Sequence, residues 1–469
     1  MSNFNFLGQD YFLENPTSVF LFHEIASKLP IVDYHNHINA DHLACNKKFS
    51  NIAELWVCND PYKHRAMRIN GIAEHYISGE ASDKEKFMAW AKTFPKTMGN
   101  PLFHWSYLEL KNIFGIEEML TPGSAEDIWS RCNELLEEDE FSARSLMEKF
   151  NVDTLCTSDN WFDDLTVHKT ASAAAKFTVL PSLRSDLVLQ TDAWETAGFL
   201  QNLSQHSTIA INTYSDFKAA IQFQLDHFHK NGCRLADQAL DAGFTFVDVS
   251  DQVAEGLFEL ILNKKILGDE QKLQLQSHIL LLLGGEFASR KWTLQLHIGA
   301  HRYTSSRLRK LAGTAGGYAS IGSCASVASI SSFLDMLEQK NSLPNILLFT
   351  LNPSDNEAFA TLTGSFAEDG IPGKVQFGPA WWFNDHLDGI RAQLLASANY
   401  SLLSRFVGMT TDSRSILSFS RHDYFRRILC NIIGEWVEKG LLPKNDLYLK
   451  ELITDICYNN SKIMISNEQ

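Results

Sequence analysis

Eight short runs of apolar and β-branched residues recur along this chain, separated by stretches with helical periodicity, and that alternation restricts the fold more than any other feature. The runs are Ile31–His37, Val152–Ser158, Phe177–Pro181, Cys233–Asp237, Thr293–His297, Asn345–Leu351, Lys374–Pro379 and Phe406–Asp412. Strands that alternate with helices imply parallel β/α units, and eight such units can close a barrel. The predicted fold is α/β, a distorted (β/α)8 TIM-like barrel forming one domain over residues 1–469. A doubly wound open sheet is the rival arrangement, but no Gly-x-Gly-x-x-Gly follows any of the runs. Residues 41–150 carry few strand signals. Their helical segments are broken at Pro95, Gly99-Asn100-Pro101 and Thr121-Pro122-Gly123, so a large helical insertion after strand 1 is expected there. Phe244–Val247 is a competing strand candidate, set aside because it sits close before a long helix.

Charge and cysteine usage narrow the function. The 56 acidic and 41 basic side chains leave a net charge of −15, which argues against nucleic acid or an anionic membrane as partner. A small anionic substrate remains compatible, since a few arginines set the field inside a pocket. The N-terminus lacks a basic segment followed by an apolar core, and no apolar run is long enough to span a bilayer. The 8 cysteines are scattered without a Cys-x-x-Cys pair, the pattern of reduced thiols. A cytoplasmic homo-oligomer acting on a small molecule is expected.

In a β/α barrel the active site lies at the C-terminal ends of the strands. Polar residues collect there: His35 and His37 on strand 1, Asp159 on strand 2, Arg184 on strand 3, Asp237 and Gln238 on strand 4. Strand 5 ends at His297 with Arg302 beyond, strand 7 leads to Trp381 and Trp382, and strand 8 ends at Asp412 followed by Arg414. Side chains at i and i+2 of a strand share a face, so His35 and His37 can hold one divalent ion together with a carboxylate, Asp412 above all. Several arginines around such a centre suit a carboxylate or phosphate ligand. Without a phosphate-cradling glycine loop, a carboxylate is favoured.

The segments Asp33-Tyr34-His35-Asn36-His37, Tyr62-Lys63-His64-Arg65-Ala66-Met67-Arg68, Gly99-Asn100-Pro101-Leu102-Phe103-His104-Trp105 and Leu296-His297-Ile298-Gly299-Ala300 together resemble the uronate isomerases, a divergent branch of the amidohydrolase superfamily. Trp381-Trp382-Phe383-Asn384-Asp385, Phe406–Arg414 and Arg421–Cys430 extend the likeness over essentially the whole chain. The resemblance implies interconversion of D-glucuronate with D-fructuronate, or D-galacturonate with D-tagaturonate, through a cis-enediol. It implies one divalent metal ion, usually zinc, on His35, His37 and Asp412. Tyr62 and Asp412 are its candidates for proton transfer, with Asp237 beside them. Arg184 and Arg414 would hold anionic oxygen, Trp381 would line the sugar, and His297 and Asp237 would orient hydroxyls.

Some positions depart from the family pattern. A substrate-contacting histidine is replaced by Pro61, Gln238 stands where the family has histidine, Tyr303-Thr304-Ser305 replaces an asparagine-rich stretch, and Ala319 replaces an aspartate. Either the surroundings of an ordinary hexuronate isomerase have drifted, or the substrate has shifted to another sugar acid. A metal-dependent hydrolase is the rival activity. It is disfavoured because the end of strand 4 carries Asp237 rather than the bridging lysine common in such enzymes. A non-enzymatic sugar-acid binder would not need His35, His37 and Asp412 together.

Overall fold

The computed structural model describes residues 6–194 and 198–466. Nine strands occur in it: β1 (Ile31–Asn36), β2 (Val152–Asp159), β3 (Thr178–Arg184), β4 (Leu235–Leu240), β5 (Thr293–Ile298), β6 (Ala300–His301), β7 (Ser320–Ile321), β8 (Asn345–Thr350) and β9 (Val375–Phe377). Seven form a parallel sheet in the order β1-β2-β3-β4-β5-β8-β9, and β6 pairs antiparallel with β7. The sheet curls with helices outside it, the β/α barrel that the alternation predicts.

Side-chain alternation separates the two faces of each strand. On β5, Leu294, Leu296 and Ile298 pack with the buried faces of outer helices, including Phe287, Phe333 and Leu337. Thr293, Gln295 and His297 occupy the opposite face, and all are buried. Below the site, Val32, Tyr34, Cys156, Leu235, Leu347 and Phe349 meet Met464 and Ile465, so the C-terminal helix Asn460–Ser466 contributes to the apolar floor.

The predicted eighth strand is corrected. Phe406–Asp412 runs beside β1 but forms no regular ladder, because Gly408 (φ 73°) and Asp412 (φ 45°) are both left-handed. Two backbone bonds tie its end to β1: Asp412 N–H donates to the His35 carbonyl (3.0 Å) and His37 N–H to the Ser413 carbonyl (2.9 Å). Just before them a side chain supplies a further rung, as the His35 N–H donates to the Thr410 hydroxyl (2.9 Å). The predicted run Cys233–Asp237 is also displaced, since β4 starts two residues later and leaves Asp237 inside the strand rather than at its end. Phe244–Val247 is not a strand.

Seven helices lie between β1 and β2, and Trp56, Phe87, Trp90, Phe94 and Trp105 are buried among them. The helix Pro61–Ile69 follows from local signals: Asp60 caps it by accepting from the N–H groups of Tyr62 (2.8 Å) and Lys63 (3.1 Å), and Pro61 takes the first turn, where no N–H is needed. That cap fixes where Tyr62 enters the barrel mouth. Among the described residues, no helix is long and apolar enough to cross a membrane.

Gly408 tests the irregular closing segment. A Cβ there would come 2.5 Å from the Ile456 carbonyl oxygen, at a φ that L side chains rarely adopt. Gly408→Ala should destabilise the chain by about 2–4 kcal/mol, read from urea unfolding, because backbone clash and strain add.

Candidate active site

The two strand-1 histidines meet one carboxylate oxygen. His35 Nε2 lies 3.4 Å and His37 Nε2 3.0 Å from Asp412 Oδ1. The second oxygen, Oδ2, accepts from the Trp381 indole N–H at 2.8 Å. His35 and Asp412 are thus brought together from opposite ends of the chain, and the left-handed backbone at Asp412 turns its side chain toward the histidines. The donors are two imidazole nitrogens and a carboxylate oxygen, all close together at the rim of a cavity. That set fits a hard or borderline divalent ion with coordination positions left for other ligands.

A second layer of polar groups lies deeper. Asp237 Oδ1 is 4.0 Å from His35 Nδ1, and its Oδ2 is 4.0 Å from His297 Nδ1. The His297 ring packs between His35 and Trp381, with centroid separations of 4.7 and 4.6 Å. Burial pushes the Asp237 carboxyl up to about 6, opposed chiefly by the charge of His35. Burial also holds the His297 imidazole well below its ordinary value. His297 is therefore a neutral hydrogen-bonding group, and its buried Nε2 has no partner among the described residues.

These groups line a cavity of about 420 Å³, together with Pro61, Tyr62, Arg184, Arg302, Tyr303, Ala319 and Arg414. Every residue named from the sequence as a site candidate in the barrel mouth reaches this cavity except Asp159 and Gln238. That carboxylate turns away, accepting from Thr157 Oγ1 (2.8 Å) and the Ser182 N–H (3.2 Å), and its neighbour Asn160 lines the cavity instead. Gln238 also points elsewhere, donating to Asp186 (3.3 Å) and accepting from Ser185 (2.8 Å).

The arginines differ in their engagement. Arg184 is paired with Asp186 (3.1 Å), and Arg302 with Asp241 (2.8 Å). Arg302 also lies over the Trp382 ring. Arg414 is exposed at the cavity without a hydrogen bond or ion pair among the described residues. A guanidinium so placed is a ready acceptor of an anionic ligand.

Tyr62 stands on a buried cation that sequence reading did not single out. The Arg421 guanidinium carbon is 3.8 Å from the Trp105 ring centroid and 5.1 Å from that of Tyr62. Its Nη1 also donates to the Thr411 carbonyl (3.3 Å), one residue before Asp412. Burial pushes the Tyr62 phenol well above its ordinary value, with Arg421 working against the shift, so the phenol is protonated. Arg421 lies within the Arg421–Cys430 segment of the family resemblance, but its spacing from Tyr62 gives no hint that the two stack.

Asp385, 3.6 Å from Arg421, supplies a test of this buried layer. Burial pushes its carboxyl up to about 7, against the pull of Arg421, from an ordinary 3.8. The folded chain therefore holds this proton more tightly than the unfolded chain. The associated stability is complete below the unfolded value and is lost as pH rises through about 7. Asp385→Asn should gain stability relative to the parent between pH 5 and pH 8, by about 2 kcal/mol in urea unfolding. An equal effect at both pH values would show a carboxylate ionised throughout.

The comparisons with known proteins agree along the chain. The family model for glucuronate isomerase matches residues 3–464. The uronate isomerase of Caldanaerobacter subterraneus subsp. tengcongensis is 43% identical over 459 residues, covering 97% of this chain and 98% of that protein. The Haemophilus influenzae (strain PittGG) uronate isomerase is 42% identical over 461 residues, covering 98% and 99%. The crystal structure of a uronate isomerase from Thermotoga maritima superposes with a TM-score of 0.92 at 31% identity, covering 98% of this chain and 100% of that one. Matched over nearly its whole length in both sequence and fold, the chain belongs to the uronate isomerase family.

Proposed function

We propose that this chain interconverts D-glucuronate with D-fructuronate, and D-galacturonate with D-tagaturonate, as an aldose–ketose isomerase with one catalytic domain, in which residues 41–150 form one wall of the site. The observation that supports this most is the meeting of His35, His37 and Asp412 in the same cavity as Arg414, which has no ion pair among the described residues. A hexuronate needs both: a place for its reacting carbonyl and hydroxyl, and a cation for its carboxylate.

His35, His37 and Asp412 would hold one divalent ion, zinc by its affinity for imidazole and carboxylate donors. Bound there, it would act as a Lewis acid that stabilises negative charge developing on sugar oxygen.

The remaining work falls to side chains. Isomerisation removes the C2 proton, passes through a cis-enediol and returns a proton to C1. Asp412, set against both histidines, takes the carboxylate's part in this transfer, steadied by the Trp381 N–H on its other oxygen. Tyr62, held protonated by burial, donates to oxygen rather than abstracting from carbon. Arg414, with Arg184 beside it, fixes the substrate carboxylate, while His297 and Asp237 receive and orient hydroxyls. Arg302 lends positive charge at the wall without releasing Asp241.

The direct experiment is ketose formation from each hexuronate by the metal-loaded protein, read with a coupled reductase. Turnover on either substrate is expected. Absence on both, with metal bound, would shift the reading to another sugar acid and give weight to Pro61 and Ala319. Asp412→Asn should reduce kcat by at least about a hundredfold. Arg414→Met should act mainly on KM, since it removes an anchor for the carboxylate. Pro61→His should leave activity on both hexuronates within about threefold if that wall has drifted neutrally; a larger gain would mark the position as specificity-determining.

A further inference from the structure

The Asp33 side chain is buried with no exposed surface, yet it faces four hydrogen-bond donors. Its Oδ1 lies 2.7 Å from the Thr410 hydroxyl, whose proton is shared with the His35 carbonyl (2.6 Å), and accepts from the Asn36 amide (3.2 Å). Its Oδ2 accepts from the Thr411 N–H (3.0 Å) and lies 3.1 Å from His422 Nε2. A carboxylate is the one common side chain that can accept from all of them. His422 is itself buried, on the long helix Ser420–Glu438 that packs outside the barrel. Facing an ionised carboxylate, its Nε2 carries the proton.

Two of these donors, Thr410 and Thr411, immediately precede Asp412. Thr410 also takes the His35 N–H. A single carboxylate therefore grips the segment that delivers Asp412 and, through Thr410, the strand that delivers His35. No regular ladder holds these two segments together, so their relative placement depends on this grip and the two flanking backbone bonds.

The geometry points to Asp33 and His422 as positioning residues that set Asp412 against His35 and His37, and so fix the affinity of the divalent-ion site. Neither touches the cavity; both act through Thr410 and Thr411. The inference rests on the assignment of His35, His37 and Asp412 as the metal-holding set.

The test measures Zn²⁺ affinity of the purified full-length chain by competition with a chromogenic chelator, alongside thermal unfolding. Asp33→Asn would turn an amide N–H toward a donor, and affinity should fall about 10–100-fold. His422→Leu should weaken binding about tenfold. His422→Gln, which can return an amide N–H to Asp33, should stay within about threefold of the parent. The Leu and Gln pair decides the question even if Asp33→Asn does not fold. Parent-like Zn²⁺ affinity in His422→Leu, with a change in thermal midpoint alone, overturns the inference. Equal losses in Leu and Gln also overturn it, because the volume of the side chain would then matter and not its hydrogen bond. A parent that binds no Zn²⁺ would instead refute the metal-site assignment beneath it.

Discussion

The seam between β1 and the segment ending at Asp412 is the constraint on which the site depends. A β/α barrel usually closes by pairing its first and last strands, which satisfies both edges at once. Here the last segment carries two left-handed residues and cannot run as a regular strand. Its hydrogen bonds are recovered by two backbone contacts, by the Thr410 hydroxyl and by the Asp33 carboxylate. The irregularity has a use. A regular strand would alternate Asp412 with its neighbours across the sheet, whereas the left-handed turn swings it to the histidines on β1.

A second consequence of burial is the layer of charge beneath Tyr62. Lys63 Nζ lies 2.6 Å from Asp60 and 3.6 Å from Glu109, with all three side chains almost wholly removed from solvent. Arg421 stacks on Trp105 nearby. Buried ions are costly unless each is paired, and such clusters contribute more to fixing geometry than to stability. In this chain the cluster anchors the start of the helix Pro61–Ile69, because Asp60 both caps that helix and pairs with Lys63. The helices Pro61–Ile69 and Pro101–Phe114 are thereby tied together beside Tyr62, which lines the cavity.

The positions that depart from the family pattern gather on one side of the cavity. Pro61, Tyr303 and Ala319 all line it. The Gly317 backbone packs so closely on the Pro61 carbonyl that a Cβ would come within 2.3 Å of its oxygen. Arg65 donates to the Ala319 carbonyl at 2.8 Å, fastening the same loop to the same helix. Pro61 and the loop 314–319 are thus coupled by contact. Gln238, the fourth departure, works outside the cavity by holding Asp186, the partner of Arg184.

Strand and helix alternation, the pairing of His35 with His37, and the arrival of Asp412 at the end of the last run were legible in the sequence because each is a local pattern of period or composition. The tertiary structure decided what local pattern cannot encode. His422 meets Asp33 across 389 positions, and Arg421 slides under Tyr62 from a helix distant in sequence. It also decided that Asp159 turns away while Asn160 turns in, a matter of one residue of register at a strand end. Residue types fix which chemistry a chain can assemble. Which side chains share one site depends on packing between distant elements, and the free energy of that packing belongs to no single stretch of sequence.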